Sequence, residues 1–371
     1  MGDINIAAVQ ATVLWSSFAI SMVFGFAGNR ANFCTMGAIA DIMNMGDWTR
    51  MRMWALAAAV AIIGTGVFVW LGWLDPRKTL YTAARLTWLS FLVGGVLFGI
   101  GMVLASGCGS KTLIRVGGGS LKSLVVFVML GLSAFATMKG VTAVLRVDTV
   151  DRVAVMLPTS SDLPSLLSGP LGMNARLLAL VLALVVGGAV AAWALASREL
   201  RAGPGWWGGL VIGACVVAVW YVSARVGYVA EDPNTLQEAF VGTNSGRAES
   251  LTYVAPMAYT LDWLLYFSDK SKTLTLGIMA VIGTVLGSWL NALVTRTFRW
   301  ESFRDAEDLA NHLVGGVLMG VGGVTALGCT IGQGITGVST LAVGSFIATA
   351  GIVAGGVLGV RYQVWRLEHG A

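Results

Sequence analysis

Charge is what this 371-residue chain has least of: only 12% of its residues are Asp, Glu, Lys or Arg, where a soluble domain carries roughly 25%. Histidine is nearly absent, with His312 and His369 alone, and the four cysteines, Cys34, Cys108, Cys215 and Cys329, form no Cys-x-x-Cys pair. Zinc or iron–sulfur ligation is therefore not expected, nor is any other cofactor. The Gly-x-x-x-x-Gly-Lys-Ser/Thr phosphate loop is missing, which argues against direct use of ATP. The formal net charge of +5 does not point to nucleic acid, because the Lys and Arg residues fall mostly between apolar runs. Membrane topology and snorkelling put basic side chains there.

What the chain does have is apolar length. Hydrophobic residues make up 56% of it, and runs such as Trp54–Trp73, Ser120–Val141, Leu177–Ala196 and Thr273–Val294 recur along it. Each is close to the roughly 20 residues that cross a hydrocarbon layer. An all-α polytopic membrane protein is expected, with the lipid bilayer as its solvent. The first run, Ala7–Ala27, has no basic segment ahead of it and no evident small-residue cleavage site. It is expected to be a retained span and not a signal peptide.

The second feature is an internal repeat. Leu92-Val-Gly-Gly-Val-Leu-Phe-Gly-Ile-Gly101, leading to Gly107-Cys108, returns as Leu313-Val-Gly-Gly-Val-Leu-Met-Gly-Val-Gly322, leading to Gly328-Cys329. Cys108 and Cys329 are 221 positions apart, as are Gly94 and Gly315. An apolar run that stops at a Gly-Cys pair in matching places of two halves suggests a broken helix at a transport site. The same offset aligns Arg30–Asp41 with Leu251–Asp262, putting Met257 on Met36 and Asp262 on Asp41, but Cys34 on Ala255.

Each repeat then runs span, half-helix, span, span, half-helix, span, with repeat one at 1–145 and repeat two at 205–371. Residues 146–204 lie between, as a polar surface linker (146–174) and an unpaired span, Ala175–Ala196. The expectation is about nine transmembrane helices and four short re-entrant half-helices. One unpaired span between four-span repeats makes them inverted. Arg50, Arg52, Arg198, Arg201 and the arginines of 296–304 and 361–366 share one side, opposite the acidic loop around Glu231–Glu249. The positive-inside bias puts the C-terminus in the cytoplasm and the N-terminus outside.

A half-helix that begins inside a membrane points backbone N–H groups and a dipole at whatever lies before it, an arrangement that favours an anion. Gly107, Gly109 and Gly328 let a ligand approach the backbone. Ser110, Lys111, Thr112 and Arg115 follow one break, and Thr330 and Gln333 the other. A thiol in an apolar setting stays protonated, and its S–H is a weak donor and soft partner suited to a sulfur-containing anion. A single membrane cysteine is more often a small packing residue. That reading fits Cys215, which has no break beside it, better than three cysteines at helix breaks. The Gly-x-x-x-Gly spacings, such as Gly95 with Gly99, are foremost helix-packing features. Asp41 and Asp262 suit ion pairing as well as proton coupling, and His312 suits an interfacial cap.

The blocks Asn32-Phe-Cys34, Gly107-Cys-Gly-Ser-Lys-Thr-Leu-Ile-Arg115 and Gly328-Cys-Thr-Ile-Gly-Gln-Gly334 together resemble the YeeE/YedE family of bacterial inner-membrane proteins. The resemblance implies an hourglass-shaped body of inverted repeats that takes up thiosulfate. It implies three cysteines handing the anion inward through S–H···S contacts, here Cys34, Cys108 and Cys329. It also implies a small cytoplasmic TusA-like sulfurtransferase as partner, and leaves other sulfur or selenium compounds open as substrates. A membrane sulfur carrier that forms a cysteine persulfide, and a channel for an unrelated anion, are the competing readings.

Overall fold

The computed structural model describes residues 5–232 and 236–369. The ends of the two expected repeats, 1–4 and 370–371, and residues 233–235 of the acidic loop lie outside the described residues.

Helices dominate. The first half of the chain folds as α1 (Ile6–Arg30), α2 (Thr35–Met45), α3 (Thr49–Trp70), α4 (Trp88–Leu104), α5 (Gly109–Gly117), α6 (Leu121–Lys139), α7 (Val141–Asp148) and α8 (Leu163–Leu171). The second half continues with α9 (Ala175–Leu195), α10 (Arg198–Ala202), α11 (Gly205–Tyr221), α12 (Val254–Leu265), α13 (Leu276–Val294), α14 (Ala306–Thr325) and α15 (Val343–His369). Two π-helical turns, Val222–Val226 and Gly332–Gly337, follow α11 and precede α15. Two short antiparallel pairs tie the loops: Arg85–Leu86 with Val155–Met156, and Tyr228–Val229 with Ala239–Phe240. Helix starts follow local capping chemistry: Asn5, Ser120, Asn174 and Asp305 each accept a first-turn amide with the side chain.

Among the described residues, eight helical stretches are long and apolar enough to cross a membrane, against the nine expected. The difference is α14, which has 20 residues but carries Glu307, Asp308 and His312 in its first two turns. The chain is a multi-pass membrane protein.

Helix contacts come in pairs related by the repeat. α4 packs on α15 as α14 packs on α6, α1 on α13 as α11 on α3, and α12 on α6 as α2 on α15. At the centre α4 and α14 cross antiparallel. A Cβ on Gly94 would stand 2.7 Å from the Gly322 carbonyl oxygen, and one on Gly315 would stand 2.7 Å from that of Gly101. Since Gly94 corresponds to Gly315 and Gly101 to Gly322, one contact is the other turned over. That is the symmetry of an inverted pair. Glycine here lets two backbones touch. α9 packs on α3, and no helix holds the matching place on α13 among the described residues.

The linker is more than a surface segment. Ser161 and Asp162 are both 1% exposed. Leu163 donates its amide to the Leu341 carbonyl at 3.0 Å, and Val343 donates to that of Ser161 at 2.9 Å. These ladder bonds tuck its polar residues under the start of α15, and alternation of polarity along the sequence carries no sign of such a pairing.

Candidate functional site

Three helices end in the same way, and each is followed by a cysteine. Asn32, Ser106 and Leu327 adopt left-handed backbone, with φ of 52°, 56° and 56°. Each amide bonds back three residues, and the next amide bonds back five: Phe33 to Gly28 at 2.9 Å, Gly107 to Met102 at 2.8 Å, Gly328 to Gly323 at 2.7 Å. This is the Schellman termination, with the left-handed residue just past the helix. In every case the cysteine stands two residues beyond the left-handed one. None of the three left-handed residues is glycine. Gly107 and Gly328 serve close approach instead: a Cβ there would lie 3.3 Å from the Lys111 stem and 3.2 Å from the Gln333 nitrogen.

Each buried cysteine then leads into the next helical segment. Cys34 is the N-cap of α2, its Sγ accepting the Gly37 amide at 3.2 Å. Cys108 is the N-cap of α5, its Sγ 3.4 Å from Ser110 Oγ. Cys329 Sγ accepts the Gly332 amide at 3.4 Å and lies within reach of the amides of Ile331 and Tyr253.

Polar groups with spare capacity gather beside the thiols. Thr35 Oγ1, Thr330 Oγ1 and Trp54 Nε1 are buried and have no hydrogen-bond partner among the described residues. All three residues line one small cavity of about 10 Å³. Trp54 was legible in the sequence only as part of a span. Gln333 is committed at one end: its Nε2 donates to the Ala326 carbonyl at 2.5 Å, while its Oε1 has no partner among the described residues.

The basic residues hold the breaks. Lys111 Nζ donates to Asn32 Oδ1 at 2.7 Å, and an Arg115 guanidinium nitrogen donates to the Ser106 carbonyl at 2.9 Å. Each cation thus reaches back to a left-handed residue. Asp41 pairs with Arg50 at 3.1 Å and Asp262 with Lys272 at 2.5 Å, so both symmetric acids have a cation partner. Cys215 lies on α11 against α1, with Sγ 3.7 Å from the Ile20 carbonyl and away from any break. His312 does not cap its helix. Asp305 does, accepting the Asp308 amide at 2.7 Å, while His312 is buried one turn on with Nδ1 2.7 Å from the Asp308 carbonyl.

The fourth position of the repeat is built differently. Tyr253 stands where Asn32 would recur, with φ of −131° and its hydroxyl 3.0 Å from Thr284 Oγ1. Beside it opens a cavity of about 330 Å³ that reaches Leu327 and Gly328 at the third break. Its lining includes Lys139, Arg146 and Glu249, which the sequence pattern did not single out because they sit in the last turns of two helices and in a loop. Half-buried Glu249 accepts the amide and hydroxyl of Ser245. Burial pushes its carboxyl above the usual range, and the Ser245 bonds pull the other way.

Residues 30–358 match a protein family described as sulphur transport. The chain is 26% identical over 357 residues to the thiosulfate transporter TsuA of Spirochaeta thermophila, covering 92% of this chain and 97% of that protein. It is 27% identical over 330 residues to the thiosulfate transporter TsuA of Escherichia coli, covering 87% of each.

Proposed function

This chain belongs to the sulphur-transport family, the YeeE/YedE-like proteins its motifs resemble, and from that premise we propose that it takes up thiosulfate by way of Cys329, Cys108 and Cys34. It is a membrane transporter and not an enzyme. The observation that carries the finer reading is the threefold recurrence of a left-handed residue, one spacer and a buried cysteine. At Cys34 and Cys329 the sulfur already accepts a backbone amide, so it is fixed in place and keeps its proton free to donate, while Cys108 Sγ stands 3.4 Å from Ser110 Oγ. A passing anion with a terminal sulfur meets that proton in a weak S–H···S contact, and weak serial contacts let it move on.

The remaining candidate residues support this route. The cavity beside Gly328 collects the anion, with Lys139 and Arg146 raising the local potential. Thr330, Thr35 and Trp54 offer further donors next to two of the thiols. Gly107, Gly109 and Gly328 keep the backbone approachable, Gln333 braces the third break, and Asn32, Lys111 and Arg115 secure the first two. The body is two inverted repeats, 1–145 and 205–371, around the segment 146–204. The protein lies in the bacterial inner membrane, N-terminus outside and C-terminus in the cytoplasm, by the positive-inside bias. A TusA-like sulfurtransferase protein receives the anion on the cytoplasmic face, as the family resemblance implies.

Growth of a host lacking other sulfur uptake, with thiosulfate as sole sulfur source, tests the assignment. Wild type and Cys215→Ala are expected to support growth, and Cys108→Ala and Cys329→Ala to fail. Equal growth of all four would sink it. Growth on another sulfur compound in preference to thiosulfate would keep the path and change the substrate. A sulfur atom stably added to the intact mass would favour the carrier reading.

A further inference from the structure

Apart from the thiol path, a second cavity of about 240 Å³ lies where the linker meets the ends of two spans. Val69 and Leu74 wall it at the end of α3, Ala175 and Arg176 at the start of α9, and Asp162 and Pro164 at the start of α8. Arg77 completes the charged lining with Arg176 and Asp162, and Asp75 lies in the same wall.

Asp162 is 1% exposed, and its Oδ2 accepts the Ser165 amide at 2.9 Å as the cap of α8. Its other oxygen, Oδ1, is buried with no hydrogen-bond partner, and no cation pairs with it among the described residues. A buried carboxylate oxygen left in that condition is costly, and a cationic N–H donor relieves the cost. Neither Arg77 nor Arg176 makes a side-chain hydrogen bond or ion pair among the described residues. Arg176 lies over the turn at Gly72 (φ +72°), where a Cβ would stand 3.3 Å from one of its guanidinium nitrogens. One cavity thus offers two uncommitted guanidinium groups and one carboxylate oxygen in want of a donor.

That charge pattern matches a zwitterion with an anionic phosphate and a hydrogen-donating ammonium. Guanidinium groups suit phosphate oxygens, and a primary ammonium supplies the N–H that Oδ1 lacks. The position says where such a molecule comes from. The cavity sits at the ends of two membrane spans, beside Trp70, Leu71 and Trp73, which are 49%, 43% and 38% exposed. Aromatic side chains at span ends mark headgroup level. We propose that this cavity holds the phosphoethanolamine headgroup of a bilayer lipid, its phosphate on Arg77 and Arg176 and its ammonium on Asp162.

Native mass spectrometry of the purified full chain in detergent tests this. The probes are phosphatidylethanolamine, phosphatidylcholine and phosphatidylglycerol with matched acyl chains, and acyl-free phosphoethanolamine. The ethanolamine lipid is expected to be retained about tenfold better than the choline lipid, whose quaternary ammonium has no N–H, and better than the glycerol lipid, which has no cation. Asp162→Asn keeps an oxygen for the Ser165 amide and should erase that preference with an unchanged melting temperature. Arg77→Gln combined with Arg176→Gln, at exposed positions, should lower retention of all three lipids. Equal retention of the three lipids by wild type overturns the proposal, as does a preference that survives Asp162→Asn. Binding of acyl-free phosphoethanolamine as strong as that of the lipid overturns the bilayer source.

Discussion

At the scale of single residues, two thiols double as helix caps, and that gives a way to separate structure from transport. Serine is a better cap than cysteine, and alanine is none. Cys34→Ser is therefore expected to keep the melting temperature of wild type yet lower thiosulfate uptake, because the soft sulfur is gone. Cys34→Ala should lower uptake and also cost about 1 kcal/mol of stability, read from thermal unfolding. Wild-type uptake by Cys34→Ser would remove the sulfur from the mechanism. Glu249 makes a second prediction. Its carboxyl titrates above the usual range because it is buried, and its ionised form puts negative charge in the cavity that also holds Lys139 and Arg146. An anion binds better when Glu249 is protonated, so affinity is highest below that raised value and declines as pH rises through it. Glu249→Gln is expected to flatten the pH profile of uptake and keep it at the acid-side level. The cysteines were legible in the sequence because a repeat marks them. Glu249, Lys139 and Arg146 were not, because nothing in the local pattern of a loop or a helix end tells which side chains will wall one cavity.

At the scale of elements, the breaks are defined by residues that sequence logic undervalues. Glycine is the usual occupant of the left-handed position, and Asn32 is a common substitute, but Leu327 is neither. A left-handed leucine costs roughly 1–2 kcal/mol, so Leu327→Gly is expected to raise the melting temperature with uptake retained, and Leu327→Val to lower it. The glycines of the crossing helices make the opposite case. Gly94 and Gly315 occupy equivalent contacts, so Gly94→Val and Gly315→Val should each push α4 and α14 apart and cut the yield of folded protein by similar amounts. A large difference between the two would contradict the symmetry of the crossing. Eight of the nine expected spans were legible from apolar length, α14 with its charged first turn being the exception, and the Gly-Cys breaks were paired by their common offset. The π-helical turn at Gly332–Gly337 and the burial of Ser161 and Asp162 were not. Both depend on long-range partners, since Ser161 and Leu163 are held by the chain around 341–343.

At the scale of the whole molecule, two halves that swap contacts pairwise surround a proposed route that is not symmetric. Three stations carry thiols, and at the fourth the repeat places Ala255, which lines the cavity of about 330 Å³. On the proposed route the cavity at Gly328 leads to Cys329, and Cys34 stands at the other end, two residues beyond Asn32, whose side chain holds Lys111. The central claim is that Cys108 is a station every transported anion passes. Uptake of radiolabelled thiosulfate into liposomes reconstituted with the purified chain tests it most directly, comparing wild type, Cys108→Ala and Cys215→Ala at equal amounts of folded protein. Uptake by Cys215→Ala equal to wild type, with Cys108→Ala at the level of empty liposomes, is the predicted result. Wild-type uptake by Cys108→Ala would contradict it.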